Sequence, residues 1–349
     1  MSKITILGAG ITGMAIASQL PKGADITILG EFLPGDPMDQ RYVSQWAGAI
    51  WLGTHEAPPR EQEMQLNSIS ELWRIAERHP ESGVRQIEIT EVMDIGDPAD
   101  VWYQGKVPGF RFLTPSELPP GAKWGTKFQT VVITPPIFLP WFRKTLEERG
   151  VKFQRTYVKA LRDLKGMGHD ILINATSFGA AKLLDVQEKR INSMRQQNLR
   201  IRMEGYNRLY IRRGPDGYYS TAFARGDGTI YIGGIKALGG TDFKADVDQR
   251  NLIMKRQHIN QPDVFPSPNP EDYDFITDHV GVFPFIESHN GGVRVEKEVL
   301  QGQKVIHAYG QEAGGYTFSF GLAQQVVRYA QEYLAEIPKP ADPPIPSRL

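Results

Sequence analysis

The residues best equipped for chemistry stand at the start of the chain. Gly8-Ala9-Gly10-Ile11-Thr12-Gly13 is a G-x-G-x-x-G run, and Glu31 follows about 20 residues on. Each glycine has its own physical reason. Gly8 permits a tight turn, Gly10 lets a pyrophosphate approach the backbone, and Gly13 lets a helix pack closely on a strand. A helix opening at this turn offers N–H groups and the positive end of its dipole to phosphates. Glu31 can accept hydrogen bonds from ribose hydroxyls, and its charge argues against a 2′-phosphate. The pattern predicts a dinucleotide site. Other chemistry is scarce. The chain has no cysteine, which excludes disulfides, thiolate zinc sites and cysteine nucleophiles. Its seven histidines, at 55, 79, 169, 258, 279, 289 and 307, show no metal-ligand spacing, so no metal site is expected.

The elements that must position these residues follow from the local pattern. Lys3 to Leu7 is a short β-branched strand, Met14 to Leu20 a helix stopped by Pro21 and Gly23, and Asp25 to Leu29 a second strand. This is the βαβ order a dinucleotide site requires. Helical spacing recurs over Glu61 to His79, Phe138 to Arg149, residues 246 to 260 and Gly321 to Ala335. Residues 84 to 135 and 199 to 236 are strand-rich. Asp170 to Thr176 and Val305 to Gly310 are buried strands. The segment Pro338 to Leu349 holds five prolines and is expected to be extended and exposed.

The chain has 349 residues, enough for two ordinary domains. Lys+Arg and Asp+Glu are both 40, so it lacks the basic excess a nucleic-acid surface demands. No run approaches the ~20 apolar residues that span a bilayer, so no membrane contact is expected.

Beyond the glycine run, the chain resembles the D-amino-acid oxidase and D-aspartate oxidase family nearly end to end. Leu33-Pro34-Gly35-Asp36 follows Glu31 as in that family. Ser44-Gln45-Trp46-Ala47-Gly48-Ala49-Ile50-Trp51 is similar to its small-residue segment beneath the flavin. Leu139-Pro140-Trp141 resembles its mid-chain helix start, and Ile173-Asn174-Ala175-Thr176-Ser177 its Asn-Cys-Thr-Gly strand end. Gly233-Gly234 resembles a sheet strand of the family. His307-Ala308-Tyr309-Gly310, with Gly314-Gly315-Tyr316, resembles its C-terminal flavin loop.

The resemblance implies an α/β fold in which a Rossmann-like FAD-binding domain is interrupted by a mixed β-sheet substrate domain. The expected division is 1–55, 136–195 and 300–337 for the FAD part, 56–135 and 196–299 for the substrate part, and 338–349 as a tail. FAD would be held without a covalent bond, since no cysteine is available for attachment through sulfur. The residues carried over for it are Gly8, Gly10, Ile11, Thr12, Gly13, Glu31, Ser44, Ala47, Gly48, Ala49, Gly314, Gly315, Tyr316 and Thr317. The family removes hydride from a carbon bearing an amine, giving an imine and hydrogen peroxide. Such chemistry needs positioning more than an acid or base.

The pattern breaks where the family holds the substrate carboxylate. Its arginine lies in a Gly-Leu/Phe-Arg-Pro segment, which here reads Gly281-Val282-Phe283-Pro284. Phe283 cannot make the bidentate, charge-assisted bond of an arginine. The neighbouring tyrosine falls at Thr221 or Ala222, and the glutamine of microbial members falls at Thr317. Either another arginine has moved in, with Arg225, Arg200 and Arg202 in plausible strands, or the substrate is a larger, more apolar or differently charged amine. Tyr218 and Tyr219 either line the pocket or pack the sheet. Arg195 matches a family position near the domain junction. His307 is expected to be structural.

The expected partners are therefore a small-molecule amine or amino-acid-like substrate and oxygen, and the chain can pair as a homodimer. A tailoring oxidase or dehydrogenase acting on a non-amino-acid substrate is the alternative, and a flavin-binding scaffold without turnover a third. The final Ser347-Arg348-Leu349 is a variant of the Ser-Lys-Leu address. It leads to an expectation of peroxisomal location through the import receptor, and of the cytoplasm otherwise.

Overall fold

A computed structural model describes residues 1–55, 57–287 and 291–336. The expected tail and Ser347-Arg348-Leu349 lie outside the described residues. The chain opens as β1 (Lys3–Leu7), α1 (Ile11–Gln19), β2 (Asp25–Gly30) and α2 (Pro59–Arg78). Then come β3 (Val84–Met93), β4 (Arg111–Phe112), β5 (Trp124–Ile133), α3 (Pro135–Glu148), β6 (Lys152–Arg155), β7 (Ile171–Asn174) and the short α4 (Gly179–Lys182). The remainder is β8 (Asn192–Arg202), β9 (Leu209–Arg213), β10 (Tyr219–Ala224), β11 (Thr229–Leu238), α5 (Val247–Asn260), β12 (Asp274–Phe285), β13 (Arg294–Leu300), β14 (Gln303–Tyr309) and α6 (Gly315–Ala335).

These strands form two sheets. The six-stranded sheet runs β13-β14-β7-β1-β2-β6, all parallel except the antiparallel edge strand β13. Its central strands are near-continuous apolar runs because helices or loops cover both faces: Ile4, Ile6, Ile28, Ile171 and Ile173 are fully buried. The eight-stranded sheet runs β12-β8-β11-β10-β9-β3-β5-β4. It is mixed, with one parallel pair, β3 with β9.

The two faces of the larger sheet separate by the period-2 rule. Leu199, Ile201, Ala222, Ile230 and Ile232 point to one face and pack under α5 against Ile253 and Met254. The alternate residues Thr221, Phe223, Tyr231, Asn198 and Gly281 point the other way, into a cavity between the sheets. A register shift between Gly233 and Ile235 breaks the alternation once. Ile235 thereby joins the α5 side, and Lys236 the cavity side.

Two expected boundaries move. β13, assigned by sequence to the substrate part, pairs with β14 and extends the first sheet from Arg294. β8 begins at Asn192 and belongs wholly to the larger sheet, so the 195/196 boundary falls earlier. The last helix starts at Gly315, not Gly321, because Gly314 caps it and its first turns are buried on all sides, with Tyr316 and Phe320 on one side and Phe318 on the other. Of the segment expected as a flavin loop, His307 to Tyr309 end β14, Gly310 to Gly314 form the connecting turn, and Gly315 and Tyr316 open α6. No described helix is long and apolar enough to cross a membrane.

Candidate active site

A cavity of about 1230 Å³ runs from the ends of β1 and β2 to the exposed face of the larger sheet. Pockets for one drug-sized ligand span roughly 300–1,000 Å³, so this one has room for a dinucleotide and a second molecule. At its first end the chain turns at Gly8 with φ +119°, and a Cβ there would stand 2.2 Å from the Ala175 carbonyl oxygen. A Cβ on Gly13 would stand 1.9 Å from the Gly8 carbonyl oxygen, so α1 can cross β1 only if both residues are glycine. Gly13 does not line the cavity; it packs, while Gly8, Gly10, Ile11 and Thr12 line.

Gly10 caps α1 without a side-chain bond, leaving the helix N–H groups to the cavity, except Ile11 N–H, which donates to Ser44 Oγ at 3.1 Å. Ser44 in turn is held by Tyr316, whose hydroxyl donates to its carbonyl at 2.9 Å. Gln311 Nε2 donates to Thr12 Oγ1 at 3.0 Å. Gly314 and Gly315 bring the N-terminus of α6 to the same cavity. Glu31 lies just past β2 on the lining, with Arg41 Nη1 donating to it at 2.8 Å. Two helix N-termini, a side-chain-free approach and a carboxylate for a ribose fit an anionic dinucleotide.

Ala47, Gly48 and Ala49 continue the lining to the sheet. A Cβ on Gly48 would lie 2.6 Å from Phe223 Cζ, so this segment presses against the sheet as closely as backbone allows. Trp46 is fixed by His279. Burial brings that imidazole down to about 4, so it is neutral and its Nε2–H donates to the Trp46 carbonyl at 2.9 Å.

The sheet floor collects Tyr219, Thr221, Phe223, Tyr231, Gly281 and Phe283, and Thr317 of α6 faces it. Thr221 donates its hydroxyl to the Tyr210 carbonyl at 3.0 Å. Tyr218 points the other way and packs on α5, accepting from Asn260 Nδ2 at 3.0 Å. Arg225 is not on the lining. It is buried past the end of β10, 3.8 Å from Asp227, which Arg200 also engages at 3.1 Å. Arg202 is exposed and pairs with Asp274, and Arg195 is tied to Lys244 and Gln249 on the α5 side. His307 is fully buried between Asn174 and Glu298, as a structural residue would be.

Two cations missing from the sequence reading stand in the cavity instead. Arg213, at the end of β9, donates from Nε to Glu91 Oε1 at 2.9 Å, and its terminal nitrogens donate to no described residue. Burial pushes the Glu91 carboxyl up, yet His55 and Arg213 outweigh it and bring it down to about 2. Lys236 Nζ lies 4.9 Å from the Tyr219 ring centroid and Arg213 Cζ 5.2 Å from it. Lys236 is open to the cavity, yet the protein crowded around it displaces enough water that desolvation, with Arg213 adding to it and Glu312 opposing it, brings its ammonium down to about 8. No sequence signal marked them: Lys236 reaches the cavity only through the register shift, and nothing in Arg212-Arg213 says which faces inward.

Comparison with known proteins agrees with this geometry. Residues 3–329 match the model of the DAO family, described as FAD dependent oxidoreductase. A D-amino-acid oxidase of Fusarium vanettenii is 30% identical, covering 93% of this chain and 95% of its own. A D-aspartate oxidase of Talaromyces thermophilus is 29% identical over 93% and 94%. Among solved structures, glycine oxidase from Geobacillus kaustophilus superposes with a TM-score of 0.73 at 14% identity, covering 95% of each chain.

Proposed function

The chain belongs to the DAO family of FAD-dependent oxidoreductases, and from that premise we propose that it oxidises the C–H bond next to an amine in a substrate other than a simple small D-amino acid. It is an FAD enzyme acting on amino-acid-like substrates. The observation that carries the finer reading is the single cavity that joins the glycine cradle to a sheet floor in which Phe283 is part of the lining.

FAD held here would supply a two-electron acceptor for the hydride of the C–H bond, the amine nitrogen giving up one proton as it becomes an imine, so that two electrons and two protons pass in all to oxygen as hydrogen peroxide. The substrate product is an imine, which water hydrolyses to a carbonyl compound and ammonia. The residues here act by position. The N–H groups of α1, with Gly314 and Gly315 at the head of α6, would hold the pyrophosphate, and Glu31 the ribose. Doing so requires Glu31 to share its carboxylate with Arg41 or release it. Ala47, Gly48 and Ala49 would leave a flat approach to the ring, and Phe223 and Tyr231 close the space behind them. Thr221, Tyr219 and Thr317 then border the substrate. No side chain on this floor is required as a base, since orientation of the C–H bond is the main demand.

Phe283 offers an apolar wall in place of a carboxylate anchor. A carboxylate facing it would lose its hydration without a bonded replacement. Small D-alanine is accordingly expected to be a poor substrate. The test is oxygen consumption and peroxide release across a panel of D-amino acids and larger amines. Turnover of bulky amines above D-alanine is expected, and rapid oxidation of D-alanine would overturn the reading. Flavin reduction without peroxide would favour a dehydrogenase.

A further inference from the structure

We propose that the substrate carries one carboxylate and that this group is seated between Arg213 and Lys236, over the ring of Tyr219, instead of at Phe283. The inference rests on reading the cavity as an amine-oxidising site, and it adds the chemical class of the substrate and the side chains that select it.

Four observations carry it. First, both cations line the cavity, and neither has its capacity filled. Arg213 spends only Nε, on Glu91, and Lys236 makes no hydrogen bond with any described residue. Lys236 is open to the cavity and the Arg213 side chain is 29% exposed, so both heads are held by cavity water that a ligand anion can displace. Second, they converge. Arg213 on β9 and Lys236 on β11 flank Tyr219 on β10, and both heads lie within about 5 Å of that ring's centroid. The two heads are thus no more than about 10 Å apart, Arg213 lowers the Lys236 ammonium, and a carboxylate beside the Tyr219 ring lies in the field of both. Third, Arg213 is held in place. Glu91 is fully buried, accepts from Arg213 at 2.9 Å and from the Tyr103 hydroxyl at 3.2 Å, and lies 3.6 Å from His55. Glu91 is thus a positioning residue: it aims the guanidinium without touching the substrate. Fourth, the seat is displaced from Phe283. Lys236 pairs in register with Gln196 and Phe283 with Met194, so β8 stands between their strands. The seat over Tyr219 on β10 is three strand spacings from Phe283 on β12, roughly 14 Å across the floor.

The remaining lining argues for a single acid group. Glu312 faces Lys236, Glu61 faces Glu312, and Asp97 and Asp100 line the cavity beyond Met93 and Trp124. A second carboxylate would meet these acids. Met93, Ile95, Trp124 and Phe283 offer apolar contact to the rest of the molecule. The fitting substrate is an amine with one carboxylate and an apolar body.

Equilibrium binding tests this without turnover. The FAD-loaded protein is titrated with phenylacetate and with its neutral amide, phenylacetamide, while the visible flavin spectrum is followed. Phenylacetate is expected to bind at least about tenfold more tightly, as charge-assisted bonds require. Lys236→Met should remove most of that difference, and because Lys236 has no bonded partner this variant carries the test without disturbing the fold. Arg213→Leu made together with Glu91→Leu should remove the rest, while Arg213→Lys restores part. Phe283→Leu should leave the difference intact. Raising the pH through about 8 should weaken phenylacetate, since Lys236, faced by Arg213 from β9, Tyr219 from β10 and Glu312 after β14, loses its charge there. Equal binding of acid and amide, an unchanged difference in Lys236→Met, or its loss in Phe283→Leu would overturn the seat. So would tenfold tighter binding of phenylsuccinate, which would mean two separate seats. If the carboxylate is seated as proposed but no amine bleaches the flavin, the oxidase reading fails and the seat stands. If amines bleach it while acid and amide bind alike, the reverse holds.

Discussion

The two ends of the cavity are built on different principles. The nucleotide end is made of backbone from short contiguous segments, where glycines let the chain come close and helix termini supply charge. The substrate end is made of side chains from β9, β10, β11 and β12, brought together only by strand register. The first is intolerant of any added atom. The second tolerates exchange of side chains, and so it is where a common scaffold can change its substrate.

The largest effects should come from the backbone end. Gly13→Val would drive a side chain into the Gly8 carbonyl, already 1.9 Å from an ideal Cβ, and Gly8→Val adds a strained positive φ to a similar collision. Either should abolish FAD retention, read as loss of visible absorbance after gel filtration, and lower stability by more than about 3 kcal/mol. Gly10→Val should also lose FAD. Its Cβ would stand 2.8 Å from Ser44 Oγ, so the damage includes the Ile11–Ser44 bond as well as the approach of a phosphate. A variant that kept its colour would break the comparison at its root.

Next comes the support beneath the substrate end. Glu91→Gln leaves the Arg213 guanidinium without its counter-charge and should cost about 3 kcal/mol in urea unfolding at pH 7. The sign with pH is set by the depressed carboxyl. Folded Glu91 titrates near 2 against an ordinary 4.5, so its contribution is full above 4.5 and fades as the pH falls toward 2. Wild type and Glu91→Gln should therefore converge in stability between those values. Parallel curves down to pH 2 would show that the ion pair is not the source.

Smaller again is the exchange at the floor. Phe283→Arg should raise kcat/KM for D-alanine about tenfold or more, since one charge-assisted bond corresponds to roughly 1.5–3 kcal/mol. No change would mean that position 283 does not reach the substrate. The smallest effect is expected at the rim of the nucleotide end. Arg41→Ala breaks an exposed pair with Glu31 and should alter FAD affinity by no more than about fivefold, read by fluorescence titration.

What could be read in the sequence follows the same divide. The βαβ start and the packing of Gly8 and Gly13 are legible because they depend on local order, strand, turn, helix, strand, whereas the two-sheet plan comes from the family resemblance alone. Tyr219, Thr221, Phe283 and Thr317 were named as pocket candidates and do line the cavity. Arg225, a candidate by sequence, is off the lining: it stands one residue past β10 and lies by Asp227 of the following turn, where strand alternation no longer applies. Arg213 and Lys236 were missed. A period-2 reading of Tyr231-Ile232-Gly233-Gly234-Ile235-Lys236 puts Ile235 in the cavity and Lys236 outside, and only the register shift reverses them. Helix α6 was begun too late because glycines at 314, 315 and 321 look like a loop until Tyr316, Phe318 and Phe320 find the core.

The central claim is that one cavity brings a flavin and an amine-bearing substrate together. Anaerobic mixing of the FAD-loaded protein with a panel of amines, followed by admission of oxygen, tests it most directly. The account predicts that amines carrying a carboxylate and an apolar body bleach the flavin absorbance faster than D-alanine does, with one peroxide released per substrate when oxygen enters. A flavin that no amine bleaches, or one that D-alanine bleaches fastest, would contradict it.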